Sequence, residues 1–180
     1  MFLPERITSA AVLGSCEKAI NRVVRCIFRR CTWLIGKVLV AVDGSACADR
    51  ALDLALDIAE KFSASVVVLN VLQIPVYGDQ ADPLAVSPSM SGIIRDIRKT
   101  HQNLLAKAVQ RAMGVKPSVK VSSELREGSP PAQIVDVAVK GGFDLLVLGH
   151  SGEGRLQELL MGGTSERVAH LARCPVLIVK

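Results

Sequence analysis

Aromatic residues are scarce: one Trp, one Tyr and four Phe make up 3% of the 180 residues. The core must therefore be built from Val, Leu, Ile and Ala, and an aliphatic interior of that kind suits strands covered by helices on both faces. Long apolar runs are missing too, since no stretch approaches the roughly 18 uninterrupted apolar residues that mark a membrane span. No low-complexity tract argues for disorder, and 49% hydrophobic with 22% charged residues is a globular composition. The five cysteines (Cys16, Cys26, Cys31, Cys47 and Cys174) contain no Cys-x-x-Cys pair and have no His at ligand spacing. Neither a zinc site nor a redox couple is indicated, so no metal ligands are expected. An odd number of thiols without a secretory signal points to a reducing, cytoplasmic setting.

Charge is also in short supply once it is located. The formal net charge is +5, but residues 1–36 hold Arg6, Lys18, Arg22, Arg25, Arg29 and Arg30 against Glu5 and Glu17, so +4 of it belongs to that segment. The remainder is nearly neutral and has no aromatics interleaved with bases, which argues against a nucleic-acid partner. Catalytic pairings are equally thin. His150 has no nucleophile at a recognisable spacing, and His101 and His170 fall on predicted helices as surface or satisfied positions. A Gly-Lys-Ser or Gly-Lys-Thr sequence is absent, which excludes phosphoryl transfer on a P-loop. No catalytic residue is assigned.

What the sequence does contain, from Lys37 onward, is a regular alternation of short aliphatic runs and longer helical ones. Residues 38–42 (VLVAV), 65–71 (SVVVLNV), 119–125, 144–148 (DLLVL) and 175–179 (PVLIV) read as strands. Between the first two, Ser45 is placed to cap a helix over residues 46–62 whose stripe is Ala51, Leu54, Ala55, Ile58 and Phe62. Residues 73–91 read as a long loop, either mobile or a lid, with Pro75, Gly78, Pro83 and Pro88. Helical spacing resumes over residues 93–113, a shorter helix begins at Pro130 or Pro131, and another covers residues 164–172. Strands and helices in strict alternation predict an α/β domain over residues 37–180, an open parallel five-stranded sheet with helices on both faces. Ligands of such sheets sit at the carboxyl ends of the strands.

The segment after the fourth strand, GHSGEGRLQELLMGGTSER, concentrates the candidate chemistry. Gly149 and Gly152 are three apart, and Gly162 lies ten further on with Gly163 and Thr164 beside it. Glycines at such places let main-chain N–H groups approach an anion, and a helix beginning near Thr164 adds its positive end. The same residues also read simply as two turns. Ser151 either faces the anion or only shapes its turn.

VLVAVDGSACADRALDLALDIAEKFSASVVVLNV (residues 38–71) together with DLLVLGHSGEGRLQELLMGGTSERVAHLARCPVLIVK (residues 144–180) resembles the universal stress protein family, and the likeness covers residues 37–180. Gly149, Gly152 and Gly162 match the family's ATP-binding pattern of Gly, two residues, Gly, nine residues, Gly, then Ser or Thr. The resemblance implies a Rossmann-like fold of the adenine-nucleotide-binding type, with Asp43 near ribose and adenine, Ala41 and Val42 lining the base pocket and the Val71 main chain on the adenine edge. It also implies ATP with Mg²⁺ held by its phosphates, hydrolysis that is slow at most, and a homodimer paired through the last strand. Gly163 departs from the pattern, because the hydroxyl appears one and two places later in Thr164 and Ser165. The chain is therefore expected to be an ATP-binding module of stress response or signalling. The alternative is a relative that has lost the nucleotide and works as an interaction domain.

Residues 1–36 lie outside the likeness. Apolar Leu13, Cys16, Ile20, Val23, Val24, Ile27, Cys31 and Leu34 recur at helical spacing, with Lys18, Arg22, Arg25 and Arg29 on another face. This predicts a basic amphipathic helix over residues 13–34 that packs on the domain, meets a protein partner or a membrane surface, or acts in targeting.

Overall fold

A computed structural model describes residues 35–73, 88–151 and 162–180. The elements run β1 (Lys37–Ala41), α1 (Ala46–Phe62), β2 (Ser65–Leu72), α2 (Pro88–Val115), β3 (Val121–Glu127), α3 (Pro130–Gly141), β4 (Leu145–Gly149), α4 (Gly163–Leu171) and β5 (Val176–Val179). Every strand pair is parallel, and the sheet order is β3-β2-β1-β4-β5. The predicted basic helix over residues 13–34, most of the predicted loop over residues 73–91, and Gly152 lie outside the described residues.

The three interior strands, β2, β1 and β4, are largely apolar on both faces, and the reason is visible in the layers they touch. Val38, Val40 and Val42 of the β1 region, with Val66, Val68 and Val147, pack against Ala51, Leu52, Ala55 and Leu56 of α1 and Leu105 and Ala112 of α2. Leu39, Leu69, Leu146 and Leu148 point the other way, onto Ile134, Val137 and Ala138 of α3 and Val168 of α4. Each fully buried Val or Leu side chain contributes about 1.5–3 kcal/mol, so two apolar layers hold the sheet without large aromatic residues. Edge strand β3 is polar along much of its length, with Ser122, Ser123, Arg126 and Glu127 exposed.

Three local readings are corrected by packing. In α1 the buried face is Ala48, Ala51, Leu52, Ala55, Leu56 and Ala59, whereas Leu54 and Phe62 of the predicted stripe are 37% and 51% exposed. Small alanines at close spacing let the helix sit near the sheet, with Leu52 and Leu56 between them, while Leu54 and Phe62 are turned to its flank. Helix α2 starts at Pro88, five residues before the predicted residue 93, because Pro88 is compatible with a first helical turn, where no N–H is needed. β3 runs two residues later than predicted, because its pairing with β2 extends to Leu72 opposite Glu127. At the foot of β5, burial pushes the Cys174 thiol up, in keeping with a small residue packed beside the second core layer.

Because β2 and β3 lie on one side of β1 while β4 and β5 lie on the other, the strand order reverses between β1 and β4. The crossovers leaving those two strands diverge, and a crevice opens at their carboxyl ends. Among the described residues, no helix is long and apolar enough to cross a membrane.

Candidate functional site

β1 leaves the sheet through Val42, Asp43, Gly44 and Ser45, and each of the last three has a fixed task. Asp43 Oδ1 accepts from the Ser45 N–H at 3.0 Å, closing a turn of the kind short polar side chains form. Gly44 sits at φ +91°, a conformation that favours glycine, and a Cβ there would lie 2.8 Å from Leu104 Cδ1 of α2, so that side chain would also have to shift. Ser45 then caps α1, its hydroxyl accepting from the Ala48 N–H at 3.1 Å. Asp43 is thus a turn former and also lines the cavity beyond the strand.

β4 leaves the sheet differently. A Cβ on Gly149 would stand 3.0 Å from the Cys47 carbonyl carbon and 3.1 Å from the Ala48 nitrogen. The glycine is therefore needed for close approach of β4 to the first turn of α1, a packing reason independent of any ligand. Beyond it the His150 N–H donates to Val179 at 2.6 Å, and the Gly162 N–H donates back to the His150 carbonyl at 2.8 Å. The Ser165 hydroxyl, buried, donates to the Gly149 carbonyl at 2.7 Å. The last two of these hydrogen bonds bring the start of α4 and the end of β4 together, and the first ties the same corner to β5. Ser151 is beside the same corner, its hydroxyl 3.6 Å from Cys47 Sγ.

Of the helix starts that border the crevice, those after β1 and β4 have opposite states. α1 is capped by its own serine, but Gly162 is the residue preceding α4 and no side chain caps that helix. The main-chain N–H groups of Gly163, Thr164 and Ser165 have no acceptor among the described residues, since the first intrahelical bond recorded there is Glu166 to Gly162 at 3.0 Å. Unsatisfied N–H groups at a helix N-terminus, with the positive end of the helix dipole behind them, form a site for an anion. Ser165 cannot add a side-chain donor, because its hydroxyl proton is committed to Gly149. Gly163 is exposed, and a Cβ there would meet nothing within 4 Å.

These features surround one cavity of about 450 Å³. Of the residues singled out in the sequence, Ala41, Val42, Asp43, Val71, Gly149, Ser151, Gly162, Gly163, Thr164 and Ser165 all line it, and Gly152 lies outside the described residues. Sequence reasoning missed Ser45, Ala48, Leu69, Gln73, His101, Pro130, Ile134 and Leu148. Leu69, Ile134 and Leu148 carry only a core signal in sequence, and Pro130 only a helix-start signal. His101 carries none, because α2 reaches the crevice through tertiary packing. Among the described residues no cluster of three or more His, Cys, Asp or Glu is arranged to hold a metal ion.

Comparison with known proteins matches residues 35–180 to the family model described as the universal stress protein family. A universal stress protein of Methanocaldococcus jannaschii is 33% identical over 159 residues, which is 88% of this chain and 89% of that one. The structure of the universal stress protein UspA from Lactobacillus plantarum superposes with a TM-score of 0.71 at 25% identity, covering 81% of this chain and 98% of that one. The universal stress protein from Archaeoglobus fulgidus in complex with dAMP gives a TM-score of 0.54 at 25% identity, covering 81% and 98%.

Proposed function

Because the chain belongs to the universal stress protein family, we propose that its crevice between β1 and β4 binds ATP, with the triphosphate at the open end of α4 and the adenosine toward β1 and β2. The observation that carries this reading is the uncapped start of α4, tied to the end of β4 so that both glycine segments border one cavity. Anions at such a terminus gain about 0.3–1 kcal/mol from the dipole, and up to about 2 when partly buried. The relative of known structure in complex with dAMP supports an adenine nucleotide as the ligand class. Asp43, Ala41, Val42 and Val71 would border the base and sugar, and Gly149, Ser151, Gly152, Gly162, Gly163, Thr164 and Ser165 the phosphates. Mg²⁺ would be carried in by the phosphates.

In this reading nucleotide occupancy is the signal, and the protein is a stress-response module in the cytoplasm with hydrolysis that is slow at most. Calorimetric titration with ATP and Mg²⁺ tests it: binding in the micromolar to millimolar range supports it, and no heat at millimolar nucleotide overturns it. Phosphate release at a steady rate above background would instead make the protein an enzyme. Gly163 favours a second reading, in which the domain has lost the nucleotide and acts through interactions alone, with the basic segment at its front engaging a membrane surface or a protein.

The same proposal includes a homodimer through β5. All four of its residues are apolar yet only partly buried, and an unpaired apolar edge is a hazard that pairing with a second copy removes. Leu177 and Val179 pack against one core layer and Val176 against the other, while Ile178 belongs to neither. Ile178→Lys is therefore expected to convert the dimer to a monomer by light scattering while the protein stays folded. A variant that remains dimeric would place the interface elsewhere.

A further inference from the structure

The β2 side of the cavity carries a polar pair, buried Asn70 and half-buried His101, that the phosphate site does not use. Asn70 is 2% exposed, and its Nδ2 donates to the Val42 main-chain carbonyl at 2.6 Å. A carbonyl oxygen only accepts, so this contact sets the amide's orientation and leaves Oδ1 facing α2. There Oδ1 lies 2.7 Å from Nδ1 of His101. Oδ1 is also only an acceptor, so Nδ1 must carry the proton, and in the neutral ring Nε2 is then an acceptor with a lone pair. Nε2 makes no hydrogen bond among the described residues, and no side-chain nitrogen or oxygen among them is buried without a partner. Nε2 is therefore not sealed in the core, and His101 is one of the residues that line the cavity.

We propose that His101 contacts the ligand directly, its Nε2 accepting a hydrogen bond from an N–H or O–H donor on the base or sugar of the bound nucleotide. The inference rests on the reading that the cavity takes a nucleotide. His101 is joined through Asn70 to Val42, on the β2 side of β1, whereas Gly149 and the start of α4 lie on the β4 side. That position puts it opposite the phosphates and within the base-and-sugar half. The buried amide holds the ring in one tautomer, so the acceptor is set before the ligand arrives and no rearrangement is needed on binding.

The test compares the whole protein with His101→Asn, whose shorter amide keeps a donor toward Asn70 and removes the atom at the position of Nε2. ATP affinity by calorimetry is expected to fall about 5- to 10-fold, the worth of one hydrogen bond, with the melting temperature unchanged. Inosine triphosphate, 2′-deoxy-ATP and 3′-deoxy-ATP then identify the donor: the analogue lacking it binds the unmodified protein more weakly and the variant no differently from ATP. Nitrogen-15 spectra of the unliganded protein are expected to show the His101 proton on Nδ1. Equal ATP affinity for both proteins, or a proton on Nε2, overturns the inference while leaving nucleotide binding intact. An unmodified protein that binds no ATP overturns the underlying reading instead.

Discussion

The exits of β1 and β4 are two versions of one strand-to-helix turn, side by side at the same end of the sheet, and they differ in what satisfies the helix that follows. After β1, Asp43 closes the turn, Gly44 makes room for Leu104, and Ser45 caps α1. After β4, glycine stands at the capping position and the first N–H groups of α4 are left open. A turn that uses its own side chains is stable by itself and closed to anions. A turn built from glycine leaves its donors for something else, and gains that freedom because Ser165 and His150 anchor it from the side.

The contrast can be broken most strongly where the two turns touch. Gly149→Val would drive side-chain atoms into the main chain of Cys47 and Ala48, and the overpacking is expected to cost about 3 kcal/mol of stability, read as a lower urea midpoint. Turning the β4 exit into the other kind is the next test. Gly162 has φ −63° and ψ 139°, a conformation open to any L residue. Gly162→Asp should cap α4 with its own carboxylate and lower ATP affinity about 100-fold through lost donors and like charge. Unfolding curves for that variant should show stability held or raised; unchanged ATP affinity would refute the role of the open terminus.

Smaller changes sharpen the same comparison. Gly163→Ser places a hydroxyl in open space, and an added hydrogen bond to a charged group should tighten ATP about tenfold, roughly 1.5 kcal/mol. If the domain has lost nucleotide binding altogether, that variant will still show no titration. Ser45→Ala removes the cap of α1 and is expected to cost about 1 kcal/mol of stability, while ATP affinity changes less than twofold because that helix end is already satisfied within the protein. A large loss of affinity would mean that both turns serve the ligand.

Much of this architecture was legible before any coordinates. Runs such as VLVAV and DLLVL, short and bounded by turn residues, read as strands buried on both faces, and their alternation with helical segments leaves few topologies other than a parallel sheet. Legibility failed where a residue's setting is decided by a neighbour distant in sequence. Leu54 and Phe62 fit a helical stripe, but the sheet selects the alanine face of α1. The polar β3 follows its hydrogen-bonded register with β2 rather than its own weak pattern. Asn70 and His101 are 31 residues apart and become a pair only when α2 crosses the top of β2.

The sequence by itself determined the order of elements, the two-sided apolar strands and the glycine spacing after β4, because these depend on side-chain periodicity and on where a Cβ is absent. Only the tertiary structure decided what each glycine and hydroxyl is for. Gly149 is a contact with α1, Ser165 spends its proton on a carbonyl, and Gly163 stands in open space beside uncommitted donors. Hydrogen bonds are short-ranged and each proton serves one principal acceptor, so which groups remain for a ligand is settled only once the folded chain has satisfied the rest.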